Sequence, residues 1–308
     1  MKNSWTNKAW LPYAGLTCTS LFWAGNAIIA RGVNELIPPL TLSFFRWFTC
    51  ALLVSPFIVK AYKKHRVIIR EQWVKILILS FMSITTYNSL LYVAAQYTSA
   101  LNITLVTSLM PITTIALSAP LLGATIGLRS AAGIACAFAG ALYVILKGDF
   151  DALWRLELNT GDSIMAIAML IWSLYSILLR KWQIPIPGLD LFMIFLGIGV
   201  IMISPFYLIE YQFRGGFEVS SQLLLAIIYV AIFPSLLAYL FWNFGVTQTS
   251  PSTASLFFYL APLITALLAI PFLGELPHGY HGAGGLVIIL GLWLCQSVGR
   301  KKTGIKQK

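Results

Sequence analysis

The chain has 308 residues, is 58% hydrophobic and only 10% charged, and carries a formal net charge of +11; its mean hydropathy is +0.82. So little polar surface cannot cover a water-soluble domain, which excludes a soluble enzyme or binding module and makes lipid the solvent. An all-α polytopic membrane protein is expected.

A stretch of about 20 apolar residues crosses the hydrocarbon core. Taken in chain order, the candidate spans are residues 10–30, 40–59, 73–96, 100–123, 128–146, 163–179, 189–209, 223–246, 253–274 and 280–297. The fourth and the ninth each carry two prolines, Pro111 with Pro120 and Pro262 with Pro271. A proline inside a helix removes a backbone hydrogen bond and bends it, so these four residues are expected to shape the helices that gate a path. Pro234 in the eighth span has no proline counterpart in the third, so a bend is expected on that side only.

The chain repeats itself. Residues 21–57 align without a gap on 170–206: Trp23 meets Trp172, Arg31 meets Arg180, Pro38 meets Pro187, and Ser55-Pro56-Phe57 meets Ser204-Pro205-Phe206. After a two-residue slip, Thr98-Ser99, Pro111, Pro120, Leu122-Gly123, Gly133 and Gly140 fall on Thr249-Ser250, Pro262, Pro271, Leu273-Gly274, Gly284 and Gly291. This divides the chain into a first five-helix unit, residues 1–150, and a second, residues 151–308, ending in a basic tail. Two copies with an odd number of spans must lie upside down relative to each other, giving ten transmembrane helices as two inverted five-helix repeats. Alternating-access carriers have that architecture.

Charge tests the topology, because Lys and Arg gather in cytoplasmic loops. With both termini cytoplasmic, that side holds Lys2, Lys8, the basic loop from Lys60 to Arg70, Lys75, Arg129, Arg180, Lys181 and the tail from Arg300; the other side keeps Arg31, Lys147, Arg155 and Arg214. The corresponding loop of the second copy, with Glu210 and Glu218, is mixed to acidic, as inversion requires. The positive charge therefore reads as contact with anionic headgroups of membrane lipids, with no nucleic-acid partner. Lys2 and Lys8 before an apolar run resemble a signal peptide, but Trp23 belongs to the repeat, so the first span is read as uncleaved. A monomer suffices for a transport path.

Nothing suggests catalysis. Cys18, Cys50, Cys136 and Cys295 lie inside spans at no metal-ligand spacing, and His65, His278 and His281 lie outside the hydrocarbon. No phosphate loop, nucleophile elbow or carboxylate pair is present within a span, so no enzyme, metal site or cofactor is expected. Arg46, in the second span, is the exception to an uncharged interior. It reads either as a ligand for a substrate carboxylate or, the favoured reading, as a side chain reaching carbonyls or headgroups near the span's outer end. Its repeat partner is Phe195.

Uncharged polar and aromatic residues recur in spans one, three, four, six, eight and nine, and leave spans two, five, seven and ten comparatively bare. Trp23, Asn26, Asn88, Tyr92, Trp172, Tyr239, Asn243 and Tyr259 are the candidate substrate-binding residues. Each has a plain structural alternative: an Asn can join two helices, and a Trp or Tyr near a span end sits in the interfacial belt. A mid-span amide without a partner costs a few kcal/mol, which gives Asn26, Asn88 and Asn243 weight. Gly133, Ala137, Gly140, Gly284, Gly285 and Gly291 look like close-packing faces.

Two five-span copies, each with a Thr-Ser link, a proline-bearing helix, a Leu-Gly step and a Gly-containing last helix, resemble the EamA-type members of the drug/metabolite transporter superfamily. The sequence departs from the pattern at Ala124, where Glu275 stands in the second copy. The resemblance implies a bacterial inner-membrane carrier of small organic metabolites, often an exporter of amino acids or related compounds. From the residues, a cavity of aromatics and amides suits a neutral or zwitterionic small-molecule substrate. A channel, a non-transporting subunit of a membrane complex, or a lipid-handling membrane protein are the alternatives; a channel would lack paired proline helices and show a ring of like residues.

Overall fold

The computed structural model describes residues 9–33, 36–98, 103, 106–155, 159–273 and 278–296. Asn102, Thr104 and Glu275 lie outside that set, as do the side chains of Arg31 and Pro271. Among the described residues the chain is helical without strands. The helices are α1 (Leu11–Val33), α2 (Pro39–Leu53), α3 (Ser55–Glu71), α4 (Trp73–Ala94), α5 (Met110–Leu122), α6 (Leu128–Ile145), α7 (Thr160–Trp182), α8 (Gly188–Arg214), α9 (Ser221–Gln248), α10 (Pro251–Ser255), α11 (Leu260–Leu273) and α12 (Gly279–Gln296).

Among the described residues, five helices are long and apolar enough to cross a bilayer: α4, α6, α7, α8 and α9. The pair α2 and α3, bent by 75°, makes a sixth if it is one span. Shorter apolar helices occupy the fourth, ninth and tenth expected spans. The chain turns at Leu109, ahead of Pro111, so that Pro111 sits in the first turn of α5, where the missing N–H costs nothing. In the ninth span the helix tightens into a 3-10 turn at Leu256–Tyr259 just ahead of α11 and Pro262. In α1, Thr19, Ser20 and Asn26 dilute the apolar character. Large exposed side chains such as Ile201, Leu225 and Leu286, at 72%, 68% and 71%, give α8, α9 and α12 the outward face of a protein solvated by lipid.

The basic stretch expected to be a loop after the second span is instead helix α3. Val54 leaves the helical region, and Pro56 begins the new helix. Ala61, His65 and Ile69, spaced one turn apart, are its buried stripe, and the lysines and arginines take the other face, the pattern of a helix lying along a surface.

Helices pair as the repeat prescribes. α1 packs on α9 and α11, and its repeat counterpart α7 packs on α4 and α5, the counterparts of α9 and α11. The remaining helices pair with their own counterparts, α2 with α8 and α6 with α12. Hydrogen bonds at both ends show that α2–α3 and α8 run antiparallel. The Glu210 carboxylate, late in α8, accepts from the backbone N–H groups of Leu40 and Thr41 at 3.2 and 2.6 Å and from the Thr41 hydroxyl at 2.8 Å. It caps the start of α2, whose N-cap Pro38 supplies no side-chain hydrogen bond, and a carboxylate is favoured there by the helix dipole. At the other end Asp190, early in α8, accepts from Lys64 at 2.9 Å and pairs with His65 at 2.7 Å.

α6 and α12 make the closest antiparallel contact. A Cβ on Gly133 would stand 2.7 Å from the Gly291 carbonyl oxygen, one on Gly140 2.8 Å from that of Gly284, and one on Gly291 2.4 Å from the Ala137 nitrogen. In lipid, helices associate through such van der Waals contact, which small residues permit.

Both α4 and α9 widen into π-helical turns, Phe81–Thr86 and Ala231–Leu237. In the register that pairs Pro111 with Pro262, Ser83 pairs with Pro234, so the two turns are equivalent. The one-sided irregularity expected from Pro234 is therefore matched by a π-helical turn on the other side. Proline is one way to open the ladder, but α4 opens without it: the Ser83 and Ser80 hydroxyls bond back to the carbonyls of Leu79 and Ile76 at 2.6 and 2.7 Å, a competition known to loosen helices.

Candidate functional site

The centre of the bundle is built from α1, α2, α4, α7 and α9. The π turns present the Ser83 and Pro234 carbonyl oxygens to side chains, as π turns at functional sites do. Tyr239 donates its hydroxyl to Ser83 at 2.9 Å. Pro234 accepts from the Trp23 indole N–H at 3.1 Å and from Arg46 Nη2 at 3.2 Å.

Repeat-related residues meet here. Trp23 and Trp172 touch edge to face, with ring centroids 5.5 Å apart. Asn88 donates its amide to the hydroxyl of its counterpart Tyr239 at 2.7 Å. On one side of this pair, Tyr92 donates to Asn26 Oδ1 at 3.4 Å; on the other, Tyr175 donates to Asn243 Oδ1 at 2.6 Å. Asn26 and Tyr175 are counterparts, and so are Tyr92 and Asn243, so one tyrosine–asparagine bond occurs twice with its residues exchanged. Around them Trp242 and Phe258 close an aromatic box on Trp23, at 5.3 and 5.2 Å. Offset and edge-to-face contacts of this kind add to plain burial.

Arg46 lies within this centre, 0% exposed. Nε donates to the Ser235 hydroxyl at 2.7 Å, Nη1 to Asn88 Oδ1 at 2.9 Å and to the Tyr92 hydroxyl at 2.8 Å. Its guanidinium carbon stands 5.0 Å from the centroid of the Trp47 ring. The favoured sequence reading, a side chain drawn to carbonyls or headgroups at the span's end, is corrected in part: one partner is a carbonyl, but it belongs to α9 inside the protein, and no headgroup reaches a fully buried group. No acidic side chain pairs with Arg46 among the described residues.

Seven of the eight predicted binding residues come together: Trp23, Asn26, Asn88, Tyr92, Trp172, Tyr239 and Asn243. Tyr259 is buried apart from them, beside Phe138 at 6.4 Å and the α6–α12 pair. Pro111 begins α5; Pro262 follows the 3-10 turn within a continuous helical run; Pro120 lies inside α5 just before its left-handed cap, Gly123; Pro271 falls within α11. Residues that sequence reasoning did not select, Trp47, Tyr175, Ser235 and Trp242, complete the centre; of these Trp47 is signalled only by its place beside Arg46. A pocket of about 560 Å³ opens at the end where α2 begins, lined by Ile37, Pro38, Gln96, Arg214 and Phe217 among others. Tyr92 lies one helical turn below Gln96.

A bundle with an apolar outer face, a polar aromatic centre and hydrogen-bonded tyrosines and asparagines at its core is that of a polytopic membrane transporter. The EamA-like transporter family matches residues 10–146 and again 159–296. The chain belongs to this family, within the drug/metabolite transporter superfamily, and is a transporter and not an enzyme. It is 27% identical, over 91% of its length and 95% of the relative's, to an "Uncharacterized transporter" of Archaeoglobus fulgidus. A "Probable terminal-alkyne amino-acid exporter" of Streptantibioticus cattleyicolor is 21% identical over 71% of this chain and 72% of its own. A solved crystal structure, 19% identical, covers 94% of this chain and 99% of its own with a TM-score of 0.75, so the fold is shared.

Proposed function

We propose that this protein moves small neutral or zwitterionic organic metabolites, amino acids or related compounds, across the bacterial inner membrane by alternating access, in the direction of export. The observation that carries the reading is the meeting of repeat-related side chains at the centre. Trp23 with Trp172 and Asn88 with Tyr239 lie where a two-fold axis between inverted halves would pass, and carriers of this architecture bind substrate at that position. The antiparallel pairing of α2 with α8 and of α6 with α12 supports two inverted repeats; ten helices would put both termini on one side, and the placement of Lys and Arg favours the cytoplasmic one. The exporter name of the distant relative favours amino-acid-like cargo.

The test is flux of radiolabelled amino acids and small amphipathic metabolites into proteoliposomes, with and without a preloaded counter-solute and a pH gradient. Saturable flux stimulated by the counter-solute is expected. Asn243→Ala and Trp172→Ala should each lower it about tenfold or more, the scale of losing one buried substrate contact, while the protein stays in the membrane. Normal flux in both variants places the substrate elsewhere, and flux that neither saturates nor responds to counter-solute favours a channel.

A further inference from the structure

Arg46 raises a question of charge. A guanidinium offers five N–H donors. Four of those of Arg46 go to Ser235, Asn88, Tyr92 and Pro234, all neutral acceptors. A positive charge at this depth is costly without a partner of opposite sign. Its acceptors are also held from behind: Asn88 by Tyr239, Tyr92 by Asn26, and Ser235 by the Val230 carbonyl, to which it donates at 2.6 Å. None of them needs Arg46 to stay in place.

The surroundings are short of acceptors. Among the described residues the buried indole N–H groups of Trp47 and Trp172 have no hydrogen-bond partner. Both rings pack on Tyr239, at 4.8 and 5.2 Å. A fully buried N–H without an acceptor costs about 1–3 kcal/mol, and two of them beside one uncompensated cation leave the centre rich in donors. The pocket that opens above Tyr92 is lined at its mouth by a second cation, Arg214, and no acid is among its lining residues.

We infer that Arg46 is the anchor for a carboxylate of the transported solute. This rests on the transport reading for its occupant and on Arg46 for its chemistry; within the proposed class it selects amino acids over solutes without a carboxylate, and it extends the class to small organic acids. The carboxylate enters from the pocket past Tyr92 and replaces Asn88 Oδ1 and the Tyr92 hydroxyl on the guanidinium in a two-pronged contact. Asn88 and Tyr92 turn to Tyr239 and Asn26, which they already touch. Trp23, Trp172, Trp242 and Phe258, which pack on one another here, then part to take the rest of the solute, an aliphatic or aromatic side chain or an ammonium group over a ring face.

The experiment uses the full chain in two parallel formats: radioligand binding to purified protein in nanodiscs and flux into proteoliposomes. The probes are matched pairs, leucine against leucinamide and phenylalanine against phenylalaninamide, with 3-phenylpropionate against 3-phenylpropionamide as a pair without ammonium. The expected result is that wild type binds the carboxylate members on the order of 30-fold more tightly than the amides, the loss that follows when a buried charge loses its partner. Arg46→Gln should erase that difference, and Arg46→Lys should keep part of it. Equal affinity for acids and amides in wild type overturns the inference, as does an acid preference that survives in Arg46→Gln or an absence of binding to every probe. The wild-type comparison decides even if Arg46→Gln does not fold. Carboxylate binding that depends on Arg46 without flux leaves the inference standing and defeats the transport reading; flux indifferent to Arg46 does the reverse.

Discussion

The two sides of the centre are built on one plan and differ in one charge. On one side Asn26, Tyr92 and Arg46 form a connected group; on the other their counterparts Tyr175, Asn243 and Phe195 keep the tyrosine–asparagine bond and replace the guanidinium with a phenyl ring, also 0% exposed. The bond is 3.4 Å where Tyr92 also serves Arg46 and 2.6 Å between Tyr175 and Asn243. A hydroxyl that also accepts from an arginine holds its amide more loosely here than one with no cation to serve. The difference teaches how a near-symmetric scaffold acquires polarity: one half can close tightly on itself, and the other keeps its contacts exchangeable.

Making the second side like the first should have the largest effect. Phe195→Arg places an unpaired guanidinium in a fully buried site of the hydrophobic core, and the expected cost is about 3–5 kcal/mol of stability, read as loss of monodisperse protein or as an early thermal transition. The reciprocal Arg46→Phe should leave stability within about 1–2 kcal/mol of wild type, because an apolar residue often replaces a buried charge at little cost. A thermal shift as large as that of Phe195→Arg would show that Arg46 is structural.

The next comparison is between the tyrosines. Tyr175→Phe strips a committed bond and leaves the buried Asn243 carbonyl unsatisfied, at about 1–3 kcal/mol. Tyr92→Phe removes the weaker bond to Asn26 and one contact of Arg46, which keeps Ser235, Asn88 and Pro234; it should cost less than Tyr175→Phe, while changing substrate binding more. Thermal unfolding and radioligand binding on the same two preparations check the ordering; equal destabilisation would erase the distinction between the sides. The ties at the two ends of α8 make the last comparison, and its weaker member has the smallest effect. Glu210, 7% exposed and accepting three hydrogen bonds, should cost about 1.5–3 kcal/mol when changed to Gln. Asp190, with a side chain 24% exposed, should cost under about 1 kcal/mol when changed to Asn.

Much of this arrangement was legible in the sequence because the repeat is legible: the register of Trp23 on Trp172 and Pro111 on Pro262 already assigns the partners that meet at the centre. The split between polar and bare spans anticipated α1, α4, α7 and α9 but missed α2, a bare span that brings Arg46 and Trp47 to the centre, and the small residues of the fifth and tenth spans anticipated the contact between α6 and α12. What stayed hidden depends on neighbours. Hydropathy measures depth along one helix, so Arg46 looked close to an edge when α4 and α9 in fact enclose it. Glu210 looked like a solvated loop acid because nothing in its own segment shows that it caps α2. The run from Lys60 to Arg70 looked like a loop because its charges mask the stripe of Ala61, His65 and Ile69. The turn at Phe81–Thr86 carries no proline, and only its equivalence to Ala231–Leu237 gives it meaning.

The contact of Asn88 with Tyr239 has a consequence for how such a protein can be made. Two identical subunits related by a two-fold axis would set asparagine against asparagine, or tyrosine against tyrosine, wherever one residue meets its own copy. A dimer of first halves would also bury two guanidinium groups side by side, and a dimer of second halves would bury none. Joining the halves in one polypeptide lets the paired positions diverge, so that an amide donor faces a phenol and the interior holds a single positive charge.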